Sequence, residues 1–560
     1  MMPLLYLRRS LRELSRYSQV LAVLVRYGFG DLVQQVRLDR LRLFRRLTRA
    51  RGEVANLSRE KRIRLAFQAL GPTFIKLGQI LSTRPDLLSA DLEEELAHLQ
   101  DDVPPVPYAA VERVLAEEFA ASGSPLGPFR EFEREPIAAA SVAQVHRAVL
   151  EDGTEVAVKI RRPGIRRMIE VDLVVLRRLA GLLARFLSDA ELYDPLGVVD
   201  QLGRTIHREL DFAREGRQCE QFGKILRADP HVRVPRVHWA ATTRRVLTLD
   251  FVRGIKISEL VNHPVGSFDL PEIARRGADV VLKTVFRHGV FHGDPHPGNI
   301  LVSKDGVLNL LDFGIVGYLE DDMRERILDL MIAVVRNDVA LAAAAITALG
   351  NVSPDTDLRA LRFDLRDFLE TYRALPLRLL RVGEVIRDMV RMITRHRIRI
   401  PAELAVLAKV LVELDGLGRR LHPDFNMVEH VKPFIKERVK ERYDPRRLAT
   451  QVIEAGMDTA RLLRTLPSDV SRILESVREG RLELSVIHRE TDPVTGALRE
   501  MLGRLACGIF AAGVVVAGAV LVSSDVQPLA WGLSVPGLLG LAAGLLLGLR
   551  CLLGARARGG

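Results

Sequence analysis

The chain has 560 residues, 48% apolar and 27% charged, with a formal net charge of +11. That length exceeds a single hydrophobic core and the composition excludes an intrinsically disordered polymer, so several folded units are expected. Three widely spaced cysteines, Cys219, Cys507 and Cys551, form no CxxC pair. They exclude a disulfide scaffold and a zinc ribbon, and suggest a reducing compartment for the soluble part.

In chain order, residues 1–60 carry 13 Arg and no Lys against five acids, a local excess of +8. This basic, Leu-rich stretch is expected to be helical and membrane-proximal. Arg26 interrupts its apolar patch at Val20–Val25, so it is not read as a signal peptide. Residues 61–128 read as a helical unit, because Leu65, Phe67, Leu70, Phe74, Leu77, Ile80 and Leu81 recur at helical spacing. Pro104, Pro105 and Pro107 end that pattern. Residues 129–253 switch to short β-branched runs at Val145–Leu150, Glu155–Ile160 and Arg244–Phe251, the first two joined by an Asp152-Gly153 hairpin turn.

Residues 254–430 are mainly helical, with one further hairpin around Asp305-Gly306, and 431–504 read as a helical tail. Leu505–Val522 and Leu529–Leu549 are uncharged runs of 18 and 21 residues. Each is long enough to span a bilayer core, so a two-helix transmembrane hairpin over 505–549 is expected. Arginines flank the pair on both outer sides, which places both ends on the cytoplasmic face of the cell inner membrane. Gly540, Gly544 and Gly548 form a small-residue stripe compatible with homodimerisation.

The chemistry gathers in His292-Gly293-Asp294-Pro295-His296-Pro297-Gly298-Asn299 and in Asp312-Phe313-Gly314. Phosphoryl transfer needs a carboxylate beside the attacking oxygen and oxygen ligands for Mg²⁺. An Asp with an Asn five residues on, then an Asp-Phe-Gly turn across a hairpin, supplies both in kinases. Asp294, Asn299 and Asp312 have that spacing. Upstream, Val156-Ala157-Val158-Lys159 offers a strand lysine for the nucleotide phosphates. The chain therefore reads as α+β, with a bilobal protein-kinase-like fold. The segment that should be glycine-rich is Ile137-Ala138-Ala139-Ala140-Ser141-Val142-Ala143-Gln144-Val145, with alanines at the three glycine positions. Methyl groups there limit how closely the backbone can wrap phosphates, so nucleotide should bind with its γ-phosphate held differently. Spacing leaves both Glu170 and Glu215 open as the helix partner of Lys159. His288, His292 and His296 recur every fourth residue, but the intervening glycine and prolines forbid the helix that a zinc site would need.

The AAAS run at 138–141, Lys76-Leu77-Gly78-Gln79, Glu209-Leu210-Asp211 and the HGDPHPGN loop together resemble the UbiB family of aarF-type, ADCK-like atypical kinases. The resemblance implies a family-specific N-terminal helical extension, carrying Lys76 and Gln79, that folds over the active site and meets the ExD residues Glu209 and Asp211. It assigns Glu215 to Lys159, Asp294 to the catalytic-loop aspartate, and Asn299 and Asp312 to the metal. It further implies ATP or ADP with Mg²⁺ or Mn²⁺, and a role in ubiquinone biosynthesis. Membrane lipids or isoprenoid quinone intermediates and quinone-biosynthesis enzymes are the expected partners, and nucleic acid is not.

Overall fold

The computed structural model describes residues 2–30, 57–82, 88–99, 103–120, 126–186, 194–264, 266–353, 356–374 and 380–442, with parts of 511–546. Two compact units divide the chain, residues 1–448 and 449–560.

The first unit opens with helices α1 (Met2–Arg26), α2 (Arg59–Leu70), α3 (Pro72–Leu81), α4 (Ala90–Ala97) and α5 (Tyr108–Glu118). Ser58 caps α2 through its side chain to the Lys61 amide, and Gly71, at φ +96°, makes a one-residue joint into Pro72 at the start of α3. Only glycine adopts that angle without strain, and Pro72 fits because the first helical amide needs no partner.

A five-stranded antiparallel sheet follows: β1 (Phe129–Phe132), β2 (Ala138–Ala139), β3 (Ala143–Leu150), β4 (Glu155–Arg161) and, after a helical insertion, the strand Val246–Asp250. Along β4, Val156, Val158 and Ile160 are buried in the sheet's core while Ala157, Lys159 and Arg161 alternate onto the other face. Among the described residues, three α-helices lie between β4 and the last strand: α6 (Ile165–Phe186), α7 (Pro195–Glu209) and α8 (Phe212–Leu226). The helices α6 and α7 are an insertion. The extension is packed onto them, since Val20, Leu70, Phe74 and Leu77 share one apolar cluster with Leu173, Leu176, Leu202 and Ile206. Asp172 of α6 is fully buried there, accepting from Arg16 Nε at 2.6 Å and from Thr73 Oγ1 at 2.6 Å. The basic N-terminal helix thus places its buried face on α6, while residues 31–56 of that segment lie outside the described residues.

The second lobe is helical around short strands. Its elements include α9 (Leu270–Lys283), the strands Val290–His292, Ile300–Val302 and Leu308–Leu310, then α10 (Asp321–Arg336), α11 (Val339–Leu349), α12 (Leu358–Arg373), α13 (Val382–Arg395), α14 (Ala402–Leu421) and α15 (Met427–Arg442). The hairpin expected at Asp305-Gly306 joins Ile300–Val302 to Leu308–Leu310, with Gly306 at φ +74°. One continuous apolar core runs from α8 through α9 to α14.

In the second unit the expected transmembrane hairpin is corrected. Among the described residues no helix is long and apolar enough to cross a membrane, which overturns the multi-pass inner-membrane assignment. The reason lies in the second apolar run. Leu529-Ala530 pairs antiparallel with Leu533-Ser534, so the run begins as a tight hairpin. The described helical residues of this run fall between Pro536 and Leu546, a stretch of about 16 Å at 1.5 Å per residue, short of a roughly 30 Å hydrocarbon core. The described helical residues of the first run fall between Ala511 and Val522. The tail from 443 to 504 and Gly540, Gly544 and Gly548 lie outside the described residues.

Candidate active site

Lys159 sits at the meeting of three elements. Its ammonium lies 2.7 Å from Glu215 Oε1 on α8 and 3.1 Å from Asp312 Oδ2 in the second lobe, with the Phe212 ring 5.5 Å away. Glu215 reaches it because α8 begins abruptly at Asp211, whose carboxylate accepts from the Arg214 amide at 3.2 Å and caps the helix. One turn in, Glu215 is buried at 5% exposure. Glu170 is exposed on α6 and pairs with its neighbour Arg166 at 3.2 Å, so the alternative left open by spacing is settled for Glu215. The wide gap between lysine and glutamate is the α6–α7 insertion.

Burial pushes Glu215 up to about 7, against the pull of Lys159. Burial also disfavours the Lys159 charge, but Asp312 and Glu215 outweigh it and raise the lysine above its ordinary value. Asp312 is held well below the carboxylate range: burial opposes this, and Lys159 together with the Gly314 amide overcomes it.

The alanine-rich segment is a closed hairpin. Ala138 pairs with Val145 and Ala139 with Gln144, and the Ala140 amide donates to Ala143 O at 2.8 Å, so Ser141 and Val142 form the tip. Ser141 is buried and Ile137 exposed. Arg162 fastens the hairpin from behind, Nε to Ala140 O at 2.8 Å and Nη2 to Pro104 O at 2.9 Å. Gln144 accepts from the Val106 amide at 2.9 Å.

The 292–299 loop is equally fixed. His292 is buried, its Nε2–H donating to Leu311 O at 3.0 Å while Nδ1 accepts from the Asp294 amide at 3.1 Å. These bonds set the tautomer and tie the loop to the segment before Asp312. Asn299 Nδ2 donates to Asp294 O at 3.2 Å, leaving its carbonyl oxygen as a ligand atom. Gly293 lies so close to Ile315 and Val406 that a methyl group would collide with Ile315. Asp312 adopts φ +53°, and Phe313, 1% exposed, packs 5.0 Å from Phe222 of α8 and 5.2 Å from His292. The Asp-Phe-Gly turn thereby aims its carboxylate at Lys159 and its ring into the core.

Asp294 meets a cation that sequence reasoning missed. Lys409 Nζ of α14 lies 3.1 Å from its Oδ1 and 3.5 Å from Glu413. Burial would raise Asp294, but Lys409 first and Lys76 second hold it below its ordinary value. Lys76 is paired with Glu209 at 2.9 Å, so the extension brings its lysine within electrostatic reach of Asp294. Gln79 stays within the extension, donating to Leu99 O at 3.3 Å, and Asp211 serves as the α8 cap. A lone lysine on an apolar helix carries no local signal. The clue available was that the 292–299 loop itself has no Lys or Arg.

Among the described residues no group of three or more His, Cys, Asp or Glu forms a metal site on its own, including the three histidines at fourfold spacing. Asp312 and Asn299 offer hard oxygen donors of the kind Mg²⁺ takes when phosphates and water complete its shell.

Two lobes, a strand lysine paired to a buried helix glutamate, and an Asp-Phe-Gly turn facing that lysine define a protein-kinase-like fold. The description "ABC1 atypical kinase-like domain" fits residues 98–345, "UbiB helical domain" fits 365–426 and "ABC1/UbiB kinase-like C-terminal domain" fits 489–556. The chain is 33% identical to a probable protein kinase UbiB of Xanthomonas euvesicatoria, over 91% of its own length and 94% of that protein's. It is 35% identical to one of Marinobacter nauticus over 70% and 72% of the respective chains. The chain belongs to the UbiB family. It is also 28% identical to an uncharacterised Clostridium pasteurianum protein from a hydrogenase 1 5′ region, over 95% and 97% of the two chains. A Mycobacterium tuberculosis protein solved in complex with erythromycin shares 27% identity, with 64% of this chain and 93% of that chain covered and a TM-score of 0.42.

Proposed function

We propose that the chain binds Mg-ATP and acts as a UbiB-type atypical kinase or ATPase supporting ubiquinone biosynthesis. The observation that carries this reading is the convergence of Lys159, Glu215 and Asp312 within 3.1 Å, beside a loop that presents Asp294 and Asn299. In this reading Lys159 holds the α- and β-phosphates and Glu215 fixes the lysine. Asp312 and Asn299 would hold Mg²⁺, which when bound neutralises phosphate charge. Asp294 accepts a hydrogen bond from a water or acceptor hydroxyl and orients it for in-line attack. The new P–O bond forms as the bond between the γ-phosphorus and the β,γ-bridging oxygen breaks. The attacking group's proton passes by way of Asp294 to solvent, and ADP leaves.

Hydrolysis or phosphorylation of a small, lipid-like acceptor is favoured over protein phosphorylation. The support is the nearness of the extension to the loop: Lys76 pairs with Glu209 and its charge reaches Asp294, in keeping with the family resemblance, which implies an extension folded over the active site. Isoprenoid quinone intermediates and the enzymes that act on them are the partners this reading names.

The test is nucleotide binding and single-turnover hydrolysis by the purified full chain with Mg²⁺, compared with Asp294→Asn and Asp312→Asn. Wild type should bind ATP and hydrolyse it, Asp294→Asn should bind but lose roughly a hundredfold or more in rate, and Asp312→Asn should lose metal-dependent affinity. Equal background hydrolysis in all three, with nucleotide still bound, would instead support a nucleotide-binding scaffold.

A further inference from the structure

Phosphoryl transfer spreads negative charge over three equatorial oxygens, and fixed cations beside them lower the barrier. Between His292 and Asn299 the chain has no lysine or arginine. His296, the one other ionisable side chain after Asp294, is exposed and accepts from the Gly298 amide through Nδ1 at 3.1 Å. Lys159, beside Glu215 and Asp312, serves the α- and β-phosphates in the reading above. The loop therefore has no cation of its own on the side of the attacking group.

Helix α14 brings one. Leu407, Val410 and Leu414 of this helix are buried in the core of the second lobe, and Val406 comes within 3.3 Å of where a methyl group on Gly293 would stand. Lys409, between these anchors, is set by core packing and by contact with the loop. Its ammonium is 3.1 Å from Asp294 Oδ1 and 3.5 Å from Glu413 Oε1, with 30% of its side chain exposed. A cation bridging to Asp294 from a rigid helix, and still open to solvent, stands beside the point where the attacking oxygen and the transferred group must meet.

We propose that Lys409 is a further residue of the phosphoryl-transfer site, held by Asp294 and Glu413 and placed to take up the charge that develops on the transferred phosphoryl group. The proposal rests on the nucleotide reading above and deepens it. A merely structural ion pair would instead brace α14 against the loop without distinguishing ATP from ADP.

The test measures ADP and ATP affinity and the single-turnover rate of γ-phosphate release with Mg²⁺, for the full chain and for Lys409→Met, Lys409→Arg and Glu413→Gln. For Lys409→Met the ADP affinity should stay within about twofold, while the preference for ATP narrows and the rate falls by on the order of a hundredfold, as for removal of one transition-state donor. Lys409→Arg should recover about tenfold of that loss by retaining the charge. Turnover within about twofold of wild type in Lys409→Met, or equal loss of ADP and ATP binding with a lowered melting temperature, would overturn the proposal. Should Lys409→Met fail to fold, Lys409→Arg and Glu413→Gln decide it. A rate that drops when the ammonium is shifted or loosened, at constant ADP affinity, supports the role, and an unchanged rate in both overturns it. Wild type that binds neither nucleotide removes the nucleotide reading and this proposal with it, whereas a binding wild type with insensitive variants removes Lys409 alone.

Discussion

At the scale of single residues, the Lys159–Glu215–Asp312 contact joins two carboxylates with opposite pH behaviour. Asp312 is held low, so the stability it contributes is present above the ordinary aspartate value and is lost on acidification. Glu215 is raised to about 7 from 4.5. The folded chain therefore binds more protons than the unfolded chain between those values, and this group's contribution to stability falls as pH rises from 4.5 to 7. Function should run the other way. Only ionised Glu215 grips the ammonium fully, so Mg-ATP affinity is expected to climb through an apparent pKa near 7, and Glu215→Gln should remove that step from a titration of Kd against pH. An affinity profile flat between pH 6 and 8 in wild type would contradict this. The KLGQ sequence resolves into separate residue-scale jobs. Lys76 pairs with Glu209, Gln79 donates to Leu99 O, and Gly78 is so tightly faced by Leu99 and Phe67 that an added methyl has no room. Gly78→Ala is therefore expected to lower stability by about 1–3 kcal/mol through overpacking, read as a shifted denaturation midpoint, with Gly78→Ser no better.

At the scale of elements, the parts legible in sequence were those whose chemistry is local. An Asp-Gly turn, a β-branched alternation and an Asp five residues before an Asn each declare themselves within a dozen positions, which is why the hairpin before Lys159 and the 292–299 loop stood out. Lys409 and Glu413 come from a helix more than a hundred residues beyond Asp294, and only packing of α14 against Gly293 brings them in. The same limit explains the C-terminal error, where hydropathy was additive but the Leu529–Ser534 hairpin was not. Asp211 carries, beside the role the family resemblance implies for it, a capping role that its spacing to Glu209 does not announce. As the side-chain cap of α8, Asp211→Ala should cost about 1 kcal/mol and loosen Glu215, whereas Asp211→Ser should keep the cap and most of the stability. If both substitutions abolish nucleotide turnover equally while Asp211→Ser melts like wild type, the residue does more than cap.

At the scale of the whole first unit, the extension is part of the kinase-like body and not an appendage. It supplies Val20, Leu70, Phe74 and Leu77 to the cluster around α6 and α7. It also faces the second lobe, since Glu93 of α4, raised by burial, feels Arg391 and Arg387 of α13. The joint that registers all this is Asp172, buried and held by Arg16 and Thr73. Removing the cation leaves a carboxylate in the interior with one hydroxyl, and breaking a buried pair in this way costs about 3–5 kcal/mol. Arg16→Met should therefore destabilise more than Asp172→Asn: the neutral amide gives up the bonds made by one carboxylate oxygen but leaves no buried anion, and Arg16, 15% exposed, still donates to Leu70 O. The double variant should lose less than the sum of the two, as contacting partners do in a double-mutant cycle. The same cycle reaches function, because Thr73 lies three residues before Lys76 on α3. If Asp172 sets the register of that helix, Arg16→Met should weaken the Lys76–Glu209 contact and alter ATP turnover although residue 16 lies far from the nucleotide residues in sequence. Additive stability losses with unchanged turnover would show that the N-terminal helix only covers apolar surface.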